Sequence, residues 1–128
     1  MSSLAMDDFK KWLDAYGAAW EAGDPKAAVN LFGEAAEYYE TPFDEPMVGR
    51  VAIETYWREG AGEAQREVRF QYEVLAMVGN RGLAIWQASF VRIPSGSKVE
   101  LDGFLSAEFD ADGKCSVFRE WWHRRETR

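Results

Sequence analysis

In the first third of the chain, apolar residues recur at every third or fourth position, which places them on one face of an amphipathic helix. The members of this stripe are Phe9, Trp12, Leu13, Tyr16, Ala19 and Trp20. Gly23 suits the end of the helix, and Asp24 followed by Pro25 suits the start of a shorter second helix. A strand-like segment at 36–41 and a proline- and glycine-containing loop at 42–49 precede a third helical stretch. The first half therefore predicts three helices and one short strand.

The second half changes to a two-residue period. From Val68 to Val74 the even positions are apolar and the odd positions are polar, as in a strand with one buried face. Turn-forming sequences at 79–82, 94–97 and 110–113 separate the strand-like runs that follow. This pattern predicts a four-stranded antiparallel meander. Helices followed by a sheet define an α+β fold with the helices on one face.

Composition limits the class of protein. A length of 128 residues and 47% apolar content fit one globular domain spanning 1–128. The net charge of −7 disfavours nucleic acid and an anionic membrane as partners, because both require a basic surface. Cys115 is the only cysteine, which excludes an internal disulfide and a cysteine-based zinc site, and a reducing cytoplasm is the simplest location.

Aromatic residues are unusually frequent, at 15% of the chain. Large flat side chains are difficult to pack in a small domain without leaving concave space, so this content favours a ligand pocket. The alternative, that the aromatic residues only fill a core, stays open.

Three segments resemble the nuclear transport factor 2-like superfamily, and within it the SnoaL-like group. They are YGAAWEAGDPKAAVNLF, ETPFDEPMVGRVAIETYW and LDGFLSAEFDADGKCSVFREWWHRRE. Their order matches that group over residues 8–126. The resemblance implies a cone-shaped, curved antiparallel sheet with three helices from the N-terminal half closing a pocket. It leaves the activity open, since this scaffold hosts isomerases, cyclases, epoxide hydrolases, dehydratases and non-catalytic binders.

The resemblance also implies which side chains face the pocket, a choice that strand periodicity alone leaves open. The helices and the loop contribute Tyr16, Trp20, Phe43, Tyr56 and Trp57. The strands contribute Tyr38 (or its neighbour Tyr39), Glu40, Trp86, Ala88, Phe90, Phe118 and Trp122. Phe43, or Met47 in the same loop, is expected at the pocket mouth.

Two known catalytic sets are incomplete in this chain. Ketosteroid isomerases of this fold use a helix-one tyrosine, matched by Tyr16, and a strand-one aspartate, which falls at Thr41. Glu40 replaces that aspartate only if the strand is bulged, because neighbouring strand residues face opposite sides. The second acid falls near Leu105. Steroid-type isomerisation is therefore disfavoured.

Limonene epoxide hydrolases use an Arg-x-Asp pair and a further acid on the last strand. The pair falls at Trp86 and Ala88, whereas the last acid matches Glu120. The carboxylates left as candidates are Glu120 and Asp102, with Tyr16 assisting.

Glu120 and Asp102 each have a functional and a structural interpretation. Among aromatic neighbours Glu120 would be desolvated, which raises the pKa of its carboxyl group into the range of a general acid or base. Alternatively, it pairs with an arginine at the sheet rim. Asp102 precedes Gly103, which would re-aim it if the glycine marks a bulge, and otherwise it faces solvent. A lone His123 predicts no metal site, and the chain has no glycine-rich loop for a nucleotide cofactor.

The leading hypothesis is therefore a pocket protein for a small apolar or aromatic ligand, with cofactor-free proton transfer by Glu120 if it is catalytic. The alternatives are a non-catalytic binding module and an interaction module acting through its sheet face. A homodimer through the outer face is also predicted, because apolar residues occupy positions that would otherwise meet water. These residues are Leu75, Met77, Leu83, Ile85, Val91, Ile93 and Trp121.

Overall fold

The computed structural model describes residues 5–128, so residues 1–4 of the predicted domain lie outside the described part. Helix α1 spans Met6–Ala22 and ends at Gly23, whose left-handed backbone (φ 62°) suits glycine. Helix α2 spans Pro25–Val29, and the Asp24 side chain caps it by accepting a hydrogen bond from the Ala27 N–H. No helix within the described residues is long and apolar enough to cross a membrane.

The middle of the chain contains the predicted first strand and two elements that the sequence pattern did not predict, a two-residue strand in the loop and a π-helical turn after the third helix. Strand β1 spans Phe32–Tyr39, and the following loop contains a two-residue strand, β2, at Met47–Val48. Helix α3 spans Arg50–Trp57 and continues into a π-helical turn at Arg58–Gly62. Turns of this kind often occur at functional sites.

The second half forms the predicted meander. Its strands are β3 at Gln65–Val78, β4 at Arg81–Arg92, β5 at Lys98–Phe109 and β6 at Cys115–Thr127. The complete sheet has six strands in the order β2-β1-β6-β5-β4-β3, and β1 runs parallel to β6 while the other neighbours are antiparallel. The sheet is curved and does not close. The α+β prediction is confirmed.

The core lies between α1 and the inner face of the sheet. The stripe predicted for the first helix is buried along its whole length. Phe9 packs against the backbone of β4 at Gly82, where a Cβ would lie 2.5 Å from the Phe9 ring. The helix and the sheet are therefore in close contact at this point.

One assignment to the outer face is corrected. A bulge between Val74 and Ala76 shifts the register of β3, so that Met77 pairs with Gly82 and packs against the core. Leu75 stays on the surface with 51% of its area exposed. A single extra residue in a strand moves all later side chains to the opposite face.

Candidate functional site

A cavity of about 220 Å³ lies between the helices and the inner face of the sheet. Ten of the predicted site residues line it. The helices contribute Tyr16, Trp20, Tyr56 and Trp57. The sheet side contributes Tyr38, Glu40, Trp86, Phe90, Glu120 and Trp122.

Three predicted binding residues lie elsewhere. Ala88 and Phe118 are on the inner face but do not line the cavity, and the Phe118 ring fills the core beside Tyr38, with 4.7 Å between ring centroids. Phe43 is 95% exposed and Met47 is half-buried beside β1, and neither lines the cavity. The expectation of a mouth contact fails because this loop folds along the β1 edge of the sheet, where β2 pairs with it.

Asp102 is also outside the cavity. Its side chain is exposed on the outer face of β5, where it pairs in register with His123. Gly103 does not mark a bulge, because the register around it is regular on both sides. Instead the glycine makes room for the Trp86 indole, whose ring atoms would lie 2.8 Å from a Cβ at this position. Asp102 therefore cannot act with Glu120.

Strand β1 directs Tyr38 and Glu40 towards the cavity. Phe32, Ala36 and Tyr38 of this strand are all buried, so an ordinary two-residue alternation sets this parity. Tyr39 consequently faces the other side, where the Arg119 guanidinium lies 4.0 Å from its ring centroid. Glu40 therefore lines the cavity by the ordinary alternation that follows Tyr38, and its direction does not depend on a bulge, since the pairing with β6 is regular over 37–39.

Glu120 is the most deeply buried carboxyl group of the site, with 5% of its area exposed. The Tyr38 hydroxyl donates a hydrogen bond to Glu120 Oε2 over 3.4 Å, and the Tyr16 hydroxyl lies 3.3 Å from that of Tyr38. Burial, followed by the negative charge of Glu40, raises the pKa of Glu120 to about 8, against the opposing effect of the hydrogen bond from Tyr38. Glu120 is therefore mostly protonated at neutral pH.

Glu40 is the second carboxylate of the cavity. Its Oε2 accepts a hydrogen bond of 2.9 Å from the Tyr56 hydroxyl. Its negative charge disfavours ionisation of the Glu120 carboxyl group in the same cavity.

The tyrosines of the site are hydrogen-bond donors rather than bases. Burial, followed by the charge of Glu120, raises the pKa of Tyr16, Tyr38 and Tyr56 well above the usual value. Their phenols thus stay neutral across the physiological range. Within residues 5–128, the buried indole N–H groups of Trp57 and Trp86 have no hydrogen-bond partner.

Sequence reasoning missed the polar residues on one side of the cavity, namely Gln65, Arg92 and Arg124. Strand periodicity could have identified the arginines, since Arg92 shares the parity of Phe90 and Arg124 shares that of Trp122. Gly60 and Ala61 also line the cavity. They belong to the π-helical turn, which the spacing of apolar residues in the sequence did not predict.

The part of the chain that the structure describes contains no candidate metal centre. Among residues 5–128, no group of three or more histidine, cysteine, aspartate or glutamate side chains is arranged to hold a metal ion. Neither His123, which is exposed, nor Cys115, which is buried, lines the cavity. Burial raises the pKa of the Cys115 thiol well above its usual range, which keeps it unreactive.

The fold and this cavity lined by aromatic side chains are shared with a known protein family. The SnoaL-like domain family matches residues 13–118, and the chain belongs to that family, within the nuclear transport factor 2-like superfamily. A solved structure of the epoxide hydrolase/cyclase-like enzyme SalBIII, described for its role in pyran ring formation in the polyether salinomycin, is similar to this chain with a TM-score of 0.79 and 21% identity. The similarity covers 91% of this chain and 92% of that one. No curated protein matches the chain in sequence.

Proposed function

We propose that this protein catalyses cofactor-free proton transfer on a small apolar or aromatic ligand held in the cavity, with Glu120 as the general acid. The observation that carries the proposal is a buried carboxyl group, hydrogen-bonded by Tyr38, in a cavity walled by Trp86 and Trp122. A carboxyl group with a pKa of about 8 is still protonated at neutral pH and can give its proton to a ligand oxygen.

Glu40 supplies the complementary role. Its charge helps to hold the proton on Glu120, and its carboxylate is available to take a proton from a ligand carbon. In the isomerisation of a β,γ-unsaturated ketone, Glu120 protonates the carbonyl oxygen while Glu40 removes a proton from the α-carbon, which gives a dienol. Glu40 then returns that proton to the γ-carbon while the enol O–H proton goes back to Glu120, which gives the conjugated ketone and restores both side chains. No electron acceptor or metal ion takes part in this sequence.

The aromatic walls support an apolar ligand, and the unpaired indole donors support one that carries an oxygen acceptor. Trp57 and Trp86 both line the cavity and keep a buried N–H without a partner among residues 5–128. A ligand carbonyl or a water molecule that reaches either group would offset the cost of its desolvation. Ketones and related carbonyl compounds of bicyclic size are therefore the proposed class.

A proton-exchange assay tests this function without the natural substrate. 2-Tetralone, a neutral bicyclic ketone, is incubated in D2O with the protein, and loss of its α-proton signals is followed by NMR. We expect faster exchange than in protein-free buffer, with the acceleration lost in Glu120→Gln. The control Glu108→Gln removes a carboxylate on the outer face and should exchange like the wild type. No acceleration by the wild type, or full acceleration by Glu120→Gln, would overturn the proposed chemistry.

A non-catalytic binding module is the second candidate. It is favoured by the hydrogen bonds that link Tyr16, Tyr38 and Glu120, because these side chains already have partners inside the protein and need none from a ligand. Saturable binding of 2-tetralone, seen as shifts of the indole N–H signals, with no exchange above buffer would favour this binder.

We also propose a cytoplasmic location. The only cysteine, Cys115, is a free thiol buried in the core, so the fold uses no disulfide within its described residues. Retention of function under reducing conditions is expected from this arrangement.

A further inference from the structure

The cavity has a charged end that the proposed proton transfer does not use. Arg92 and Arg124 line it from β4 and β6, and Gln65 lines it from the start of β3. The whole chain has a net charge of −7, so two guanidinium groups at one opening make the charge there opposite to that of the protein as a whole. Phe90 and Trp122 each lie two residues before one of these arginines, on the same face of the same strand. The positive charges therefore lie next to the aromatic wall of the cavity.

The two arginines differ in their neighbours. Arg92 forms a two-point ion pair with Glu126, with distances of 3.1 Å and 3.3 Å. Arg124 takes part in none of the ion pairs found among residues 5–128. Its charge lowers the pKa of Glu126 only slightly, and Arg92 has the larger effect on that pKa. One positive charge therefore remains uncompensated at this end of the cavity.

The distance between the charged end and the acid sets the length of a ligand that reaches both. Glu120, Trp122 and Arg124 lie on one face of β6, and Arg124 is four residues beyond Glu120. At about 3.3 Å per residue, the two positions are about 13 Å apart. The flat Trp122 side chain lies between them.

We propose that the natural ligand is an aromatic or alicyclic carboxylic acid, with its ring system against Trp122, its carboxylate on Arg124 and its reacting end towards Glu120. This inference rests on the proposed pocket function and names its substrate class. A guanidinium matches the two oxygens of a carboxylate, and a single negative charge balances the single uncompensated arginine. A phosphate dianion would instead bring excess negative charge towards Glu126 and Glu40.

Three naphthalene probes of similar size test the assignment. They are 2-naphthoate, its neutral counterpart 2-acetylnaphthalene, and 2-naphthyl phosphate, and their dissociation constants are measured by protein-observed NMR at low and high salt. An ion pair of this partly exposed kind is worth about fivefold in affinity at low salt. We expect 2-naphthoate to bind about fivefold more tightly than the ketone, with the difference shrinking at high salt.

Two neighbouring arginines provide a matched pair of variants. Arg124→Gln should remove the preference for the carboxylate and leave binding of the ketone unchanged. Arg125→Gln changes the net charge equally, but Arg125 lies on the outer face, where it pairs with Glu100 over 3.0 Å. The preference should survive in that variant.

Each result decides the question. Equal affinity for acid and ketone, equal loss in both arginine variants, or failure of 2-naphthoate to bind would overturn the carboxylate assignment. Tighter binding of the phosphate would overturn it in favour of a phosphorylated ligand. Because the proton-exchange assay uses a neutral ketone, acceleration of exchange there together with no acid preference here would reject the substrate class and leave the proposed function standing.

Discussion

The Tyr38 hydroxyl lies 3.4 Å from Glu120 Oε2 and donates a hydrogen bond to it, joining the first long strand to the last inside the cavity. This bond favours the ionised carboxylate and so opposes the effect of burial on the pKa of Glu120. Tyr38→Phe should therefore raise the pKa of Glu120 above about 8. A carbon-detected NMR titration of the glutamate carboxyl groups measures the shift. Tyr39→Phe, whose hydroxyl bonds to Glu37 on the other face, is the control and should leave that pKa unchanged. A lowered pKa in Tyr38→Phe would contradict this account of the site.

Removal of the neighbouring charge should have the opposite effect. Glu40→Gln retains an oxygen that can accept the hydrogen bond from Tyr56 but eliminates the negative charge that disfavours ionisation of Glu120. The pKa of Glu120 should fall below about 8 in the same titration. Glu37→Gln, which removes a carboxylate next to Tyr39, is the matched control. An unchanged pKa in Glu40→Gln would mean that the two carboxyl groups do not interact.

Protein stability should depend on pH through Glu120. The carboxyl group has a pKa near 4.5 in the unfolded chain and about 8 in the folded one, so between these values only the folded state keeps its proton. The free energy of unfolding should therefore fall as pH rises through this window, by at most roughly 1.4 kcal/mol per pH unit, and level off above it. Glu120→Gln should remove this slope and be more stable than the wild type at pH 9. Urea unfolding across the pH range measures both curves, and a wild-type curve that rises with pH in this window would contradict the prediction.

Gly103 should not tolerate a side chain. A Cβ at this position would lie 2.3 Å from the Trp121 carbonyl oxygen and 2.8 Å from the Trp86 ring, and the backbone atom cannot move aside. Gly103→Ala should therefore reduce the free energy of unfolding by about 1–3 kcal/mol. Gly60→Ala is the control, because a Cβ there meets no atom closer than the Gln65 amide nitrogen at 3.9 Å. Equal stability of the two variants in urea unfolding would show that Trp86 is not packed tightly against β5.

We expect a homodimer through the outer face of the sheet. Leu83, Ile85 and Val91 lie on that face of β4, and Trp121, 40% exposed, extends the apolar surface on β6. An interface of about 800 Å² per partner would cover this area. Ile85→Glu should give monomers or aggregates in sedimentation velocity, whereas Gln87→Glu, at a polar position of the same face, should sediment like the wild type. A monomeric wild type at tens of micromolar would contradict the dimer.

Uninterrupted periodicity made much of the site predictable. Strands β4 and β6 follow a strict two-residue alternation around the cavity, so Trp86, Phe90, Glu120 and Trp122 were assigned to one face once the fold family indicated which face was inside. The stripe of α1 was predictable for the same reason, because one pattern of burial extends along the whole helix.

The errors arise where the alternation is broken or absent. The bulge at Val74–Ala76 moved Met77 to the inner face, and bulges leave no reliable trace in composition. Asp102 was predicted to be a catalytic residue because Gly103 next to it could mark a bulge. The glycine is instead required by the tertiary packing of the Trp86 ring from the adjacent strand, which the sequence alone does not show. Phe43 lies in a loop, where no period constrains the direction of a side chain.

The parallel pairing of β1 with β6 has a consequence for how the protein folds during its synthesis. Tyr38 and Glu120 are 82 residues apart in the chain, and four strands, one helix and the π-helical turn lie between β1 and β6 in the sequence. Contacts of such long sequence separation form late and slowly in folding. On the ribosome, β1 emerges early and keeps an unpaired edge until the last strand is translated. The assembly of the carboxyl site is therefore a late event of folding, and nascent chains interrupted before β6 should lack the cavity and expose the edge on which it is built.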